Sequence, residues 1–208
     1  KLQEQSEQGR AKMPEGERFH LPVVDEMIAK QAWYCPIELN DGDNAYYSLS
    51  QDKVVLPEPK FFKDGESFIG TLMHECAHST GSADRFNRFK EGTTFGDNLY
   101  SIEELRAELT SALVCSNLGI TKHVKSDSAA YLKSWLDHMQ ESPEYLKTVL
   151  NDVKRATYVI NSRLDTIQQQ IDQYQSFPGR ENEYPDIYDV DLDGQFGEVA
   201  HADRPFER

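Results

Sequence analysis

Cysteine is scarce in this sequence. Cys35, Cys76 and Cys115 are the only three in 208 residues, an odd set without C-x-x-C spacing. A disulfide framework does not fit that set, and the expected compartment is a reducing one, the cytoplasm. Cys76 and Cys115 fall where burial is expected, and there cysteine behaves as a small hydrophobe. Long apolar runs are missing as well. No stretch of about eighteen consecutive apolar residues occurs, so no segment is expected to span a membrane. Positive charge is the third shortage: 22 Lys and Arg face 36 Asp and Glu, a formal net charge of −14. Binding a nucleic-acid backbone needs clustered Lys and Arg, so direct nucleic-acid binding is not expected. The imbalance is steepest from Ser176 onward, where nine acidic residues stand against three arginines. Such a surplus ordinarily serves solubility. The sequence opens at Lys1 with no methionine and no apolar h-region, so no signal peptide is expected in it as it stands.

The length suits one domain with tails. Residues 1–16 are polar and charged and are expected to form a flexible arm, residues 17–175 the domain, and residues 176–208 an acidic, extended tail. In that tail Asp189-Val-Asp-Leu-Asp-Gly194 matches the opening of an EF-hand loop. The twelfth position is Ala200 where a bidentate glutamate belongs, so calcium binding is not expected. Within the domain, Leu21–Gln31 reads as a helix with Pro22 near its start, its Val24, Met27 and Ile28 facing a sheet. Trp33–Leu39, Ala45–Leu49 and Lys53–Leu56 read as short strands, and the turn-rich Asn40–Asn44 between the first two reads as a hairpin connection. Further on, Ser128–Gln140 reads as a helix, and Pro143 opens a long one. Tyr145, Leu146, Val149, Leu150, Val153, Ala156, Ile160, Leu164, Ile167 and Ile171 hold helical spacing along it, a core-facing stripe. His123 and His138, without paired ligand spacing, read as surface residues.

What the sequence does contain is His74-Glu75-Cys76-Ala77-His78, an H-E-x-x-H string. Phe68, Leu72 and Cys76, with Ile69 and Met73, recur at helical period around it. Asp64 or Ser67 caps the start, and Gly81 follows the end as a C-terminal glycine should. Residues four apart on a helix stack on one face about 6 Å apart, so the two imidazoles can close on one ion. Zinc takes neutral histidine nitrogens, and a catalytic site keeps one position for water. Glu75 is placed to take a proton from that water.

Two histidines need a third protein ligand. The spacing H-E-x-x-H-x-x-G-x-x-H fails, because position 84 is Asp84. A second amphipathic helix follows, with Ile102, Leu105, Leu109, Ala112 and Leu113 at helical period. It presents Glu104 and Glu108 one turn apart. Glu104 is the first choice as ligand, with Glu103, Glu108 and Asp84 as alternatives. Glu108 would then hydrogen-bond a ligating imidazole. Ser101-x-x-Glu104 also spells a capping box, which would give Glu104 a purely local role. Tyr100 and Arg85, lying in sequence between the two site helices, are the candidates for stabilising an oxyanion.

The run Thr71–Gly81, with Arg85, Arg88, Phe95-Gly96, Tyr100 and Glu103-Glu104-Leu-Arg-Ala-Glu108, resembles the zincin-like metallopeptidase domain of ArdC-type antirestriction proteins and of polyvalent proteins of phages and conjugative elements. Ala45-Tyr46-Tyr47, Asp52–Pro57 and Ala130-Tyr131…Trp135-Leu136 are similar to it too, so the likeness runs from about Leu21 to Gln173. It implies an α+β fold: a small, mostly antiparallel sheet packed against the H-E-x-x-H helix, a second glutamate-bearing helix and C-terminal helices. It also implies Zn2+ held by His74, His78 and a glutamate of the second helix, Glu75 as general base, and a protein or peptide substrate. The single-stranded-DNA-binding module that accompanies the family has no counterpart here, so any DNA-binding module is expected outside this chain. The rival expectation is a non-catalytic, zinc-containing interaction module, or an acidic mimic of DNA, that acts by binding a host nuclease.

Overall fold

In the computed structural model, which describes residues 21–89, 98–120 and 143–176, Pro22 opens the first helix, α1 (Pro22–Ala29). Its ring presets the helical φ where no intrahelical N–H bond is needed. The helix buries Val23, Val24 and Met27. Gln31 then takes a left-handed φ of 50° and turns the chain back. Its side-chain amide bonds the backbone of Ile37 in both directions, accepting from the N–H at 2.8 Å and donating to the carbonyl at 3.0 Å. Only after that turn does the first strand, β1 (Ile37–Asn40), begin. Trp33–Cys35, expected in the strand, belong to the loop before it. There the buried Trp33 indole donates to Ser79 Oγ at 2.9 Å.

Strands β2 (Tyr46–Ser48) and β3 (Lys53–Pro57) complete a sheet of order β1-β3-β2. β1 runs parallel to β3 with Ile37 opposite Val54, and β2 runs antiparallel with Tyr46 opposite Val55. The sheet is therefore mixed, where a mostly antiparallel one was expected, and Asn40–Asn44 is not a hairpin. It carries the chain past β3, so that β1 and β2 flank the same strand. β3 is central because Val54, Val55 and Leu56 are all buried, a run with no polar face to give to water. All three cysteines are buried free thiols, and burial pushes the Cys35 thiol up to about 11.

Helix α2 (Gly65–Ser79) is capped by Asp64, whose carboxylate accepts from the Ser67 N–H at 2.7 Å. Helices α3 (Asn98–Asn117) and α4 (Pro143–Gln175) follow. Phe68, Leu72, Met73 and Cys76 of α2 meet Met27, Val54, Leu56 and the Ile160 and Ile167 of α4 in one core. α3 is buried on two faces. Ala107 and Val114 join that core, while Ile102 and Leu105 pack on Val149 and Val153 of α4 in a second cluster. The single stripe read from the sequence mixed the two faces, so Ala112 and Leu113 are exposed, as is Leu150 of the α4 stripe. Where α2 and α3 cross, Ser111 Oγ donates to the Gly70 carbonyl at 2.8 Å, a bond that small side chains permit. This crossing sets the height of every α3 carboxylate against the α2 histidines.

No helix among the described residues is long and apolar enough to cross a membrane. The expected arm, the tail after Ser176, the Ser128–Gln140 helix, His123, His138 and Phe95-Gly96 lie outside the described residues. Leu72 is fully buried beneath the site helix. Leu72→Ala should cost about 2–5 kcal/mol, the range for truncating a core leucine. Chemical denaturation reads it, and a loss under 1 kcal/mol would mean that α2 does not anchor the core.

Candidate metal centre

His74 and His78 rise from successive turns of α2 with their rings edge to face, 82° between planes, and with Nε2 atoms 3.1 Å apart. Glu104 reaches in from α3. Its Oε2 lies 3.6 Å from His74 Nε2 and its Oε1 lies 3.4 Å from His78 Nε2. Among the described residues these three side chains form the group that could hold a metal ion, with ligand atoms all within 4.8 Å of one another. Donors bound tetrahedrally at about 2.0–2.1 Å sit about 3.3–3.4 Å apart, so the observed spacings fit one shared ion.

The other candidates for third ligand fall elsewhere. Asp84 is exposed and outside the group. Glu103 Oε1 faces the opposite nitrogen of His78, Nδ1, at 3.6 Å, and Glu108 Oε1 faces His74 Nδ1 at 3.8 Å. Each imidazole thus has a carboxylate behind it and Glu104 before it, the outer arrangement that orients metal-binding histidines. The capping-box reading of Glu104 fails, because α3 begins at Asn98 and Ser101 lies inside it.

Charge follows from this crowding. Burial favours a neutral His78, yet Glu103 and Glu104, with Glu75 and its charge, push it up to about 10. Burial would raise Glu103, but Arg88 and His78 bring it down to about 2, and the two histidines hold Glu104 well below the usual carboxylate range. The carboxylates outnumber the imidazoles. Positive charge is therefore favoured at the centre, as a proton on His78 or as a cation shared by the Nε2 atoms. Glu75 is buried, 6% exposed, on the turn that carries His74.

Arg85 is committed away from this group. Its Nε donates to the Ser79 carbonyl at 2.7 Å, Nη1 to Asp52 Oδ2 at 3.1 Å, and Nη2 to Asp52 Oδ1 and the Tyr47 hydroxyl. It clamps the end of α2 to the β2–β3 turn rather than offering a donor for an oxyanion. Tyr100 lies on α3 one turn before Glu104 and two before Glu108, on the same helical face.

The clamp has a testable pH signature. Burial would raise the Asp52 carboxyl, but Arg85 and the Tyr47 hydroxyl hold it below the usual range. The stabilisation is thus complete above the unfolded value, about 3.9, and is lost as pH falls through the lower folded value. Asp52→Asn leaves buried Arg85 without its carboxylate partner and should cost about 1–3 kcal/mol near neutrality. At 42% side-chain exposure, Asp52 belongs at the low end of that range. Urea melts of both chains should converge towards pH 2, and a gap unchanged by pH would rule out the carboxylate charge as its source.

Sequence reasoning passed over two roles. From the sequence Glu103 reads only as a ligand, and Arg88, its guanidinium partner, is pointed to only by the family likeness. The available signal was the adjacency of Glu103 and Glu104. Neighbours on a helix differ by about 100° in direction, so one of them had to flank the site rather than face it.

Comparison with known proteins bears on the family and the fold. A family model described as zincin-like metallopeptidase matches residues 22–152. The uncharacterized protein y4eC of Sinorhizobium fredii is 33% identical over 114 residues, covering 55% of this chain and 37% of that protein. Two Escherichia coli DNA primases TraC are 38% and 33% identical over 120 and 138 residues, or 57% and 66% of this chain but only 8% and 13% of theirs. The crystal structure of the antirestriction ArdC protein from plasmid R388 shares the fold. Its Mn(II)-bound form superposes with a TM-score of 0.64 at 24% identity, over 73% of this chain and 56% of that one. The metal-free form gives 0.61 at 26%, over 74% and 56%. The chain therefore spans little more than half of ArdC and no more than 37% of the other relatives named.

Proposed function

Because the chain belongs to the zincin-like metallopeptidase family, we propose that it is a metal-dependent peptidase in which His74, His78 and Glu104 hold a divalent cation and Glu75 is the general base. The observation that carries this is the convergence of both Nε2 atoms and the Glu104 carboxylate on one point, at spacings of 3.1 to 3.6 Å. Two imidazoles and a carboxylate suit zinc, the cation proposed here, and the Mn(II) in the ArdC neighbour supports a divalent ion in this fold. When bound, such an ion supplies Lewis acidity, lowering the pKa of water from about 15.7 towards about 7 and polarising a scissile carbonyl. Glu75 takes the proton released as water attacks and returns it to the departing amine. Glu103 and Glu108 hold the imidazoles from behind. Tyr100 is the remaining donor for the oxyanion.

An extended peptide would pair with the outer edge of β2, which no strand among the described residues covers. α2 packs against β3 and β2, which brings that edge to the site helix. The opposite edge is partly closed, since the Gln31 amide already occupies the outward N–H and carbonyl of Ile37. The proposed partner is thus a protein or peptide, without direct contact to nucleic acid or membrane. An antirestriction role is the context suggested by ArdC. The test is metal analysis of the purified chain together with cleavage of a peptide library. One equivalent of zinc is expected, with cleavage lost on chelation and restored by metal. Stoichiometric zinc without cleavage of any peptide or protein offered would favour the interaction module instead.

A further inference from the structure

The loop after α2 makes more bonds to the site than its connecting role needs. Arg88 grips Glu103 with a two-pronged fork, Nε to Oε2 at 3.1 Å and Nη2 to Oε1 at 2.7 Å. The same guanidinium donates to the Ala77 carbonyl at 3.0 Å and to Thr80 Oγ1 at 2.9 Å, which fixes it to the turn that carries His78. Both side chains are buried, 6% and 8% exposed. The Glu103 oxygen that takes the shorter prong is the one facing His78 Nδ1 at 3.6 Å. A glutamate has three rotatable bonds, and a fork fixes the plane of its carboxylate as well as its position. A lysine ammonium is a point charge and could not do this.

Gly81 gives the second observation. Its φ is not left-handed, and Thr80 closes α2 in ordinary helical geometry, so the glycine is not the expected C-terminal cap. An added Cβ would lie 3.0 Å from Arg88 Nη2, 2.8 Å from Phe89 Cε2 and 3.1 Å from the His78 carbonyl. The glycine makes room for the guanidinium and the Phe89 ring together. The loop is held from the far side too, where Arg155 of α4 stacks over Phe86 at 4.5 Å.

We propose that Arg88 is a positioning residue that works through Glu103 to fix the His78 ring, so that the loop after α2 sets the metal affinity of the site. The proposal rests on the metal-dependent reading above. The expected result is specific. Arg88→Met should weaken zinc binding about 10–100-fold, the effect of losing an outer partner of a ligating histidine. Glu103→Gln should weaken it to a similar degree, and the double variant should bind no worse than Glu103→Gln alone. Gly81→Ala, which crowds the Phe89 ring and the guanidinium together, should weaken zinc binding in the same direction as Arg88→Met and by less.

Zinc affinity is measured by competition with a chromophoric chelator, with the melting temperature of each metal-free chain recorded alongside. If Arg88→Met does not fold, Arg88→Lys keeps the charge, removes the fork and is expected to show the same loss. Equal losses from Arg88→Met with and without Glu103 would overturn the proposal, since the arginine would then act on the loop alone. Wild-type affinity in Arg88→Met or Arg88→Lys would overturn it as well. A wild-type chain that takes up no zinc would instead remove the metal site, and the proposal with it.

Discussion

Glu75→Gln should bind zinc like the wild type and lose hydrolysis by about 10²–10⁴-fold in kcat, the usual contribution of a positioned general base. Glutamine keeps the length and planarity of glutamate, so the packing of this buried position survives. It cannot accept a proton from water, so the chemical step should fail while the ion stays in place. Glu75 stands outside the three side chains that converge, which is why metal content should not follow activity. The paired measurement is metal stoichiometry and single-turnover cleavage of a peptide selected from the library. Undiminished cleavage would mean that another group moves the proton. Loss of zinc would make Glu75 part of the coordination itself.

Glu104→Ala is the counterpart, with metal and activity falling together. Two imidazoles alone rarely hold zinc in a catalytic site, so the loss should exceed the about 10–100-fold typical of outer partners. Comparing Glu104→Ala, Glu103→Gln and Asp84→Ala separates three sequence readings in one titration. The expected order is severe, moderate and negligible, because Glu104 touches both Nε2 atoms, Glu103 stands behind His78, and Asp84 is exposed on the loop. If Glu103→Gln releases more zinc than Glu104→Ala, the assignment of the two carboxylates is reversed.

The parts legible in the sequence are those that depend on short-range geometry. His74 and His78 four apart, Asp64 at the start of α2, Pro22 and Pro143 opening their helices, and the stripe Phe68–Leu72–Cys76 follow from 3.6 residues per turn and from local hydrogen bonding. A helix carries these rules wherever it sits. The errors came where local rules compete. Ser101-x-x-Glu104 has the spacing of a capping box, yet the helix begins earlier, at Asn98. Gly81 looked like a left-handed terminus, and its real constraint is the space taken by the Arg88 and Phe89 side chains, seven and eight residues later.

By itself, then, the sequence determined that one helix presents two imidazoles and a carboxylate on adjoining turns, and that a second helix brings several more carboxylates within one turn of each other. Only the tertiary structure decided which of those carboxylates faces the imidazoles, and which strand of the sheet is central. The α2–α3 crossing, at Gly70 and Ser111, sets the rotation of one helix against the other. A rotation of about 100° there separates Glu104, which faces both histidines, from Glu103, which backs His78. That angle comes from packing between residues about forty positions apart, and no local pattern encodes it.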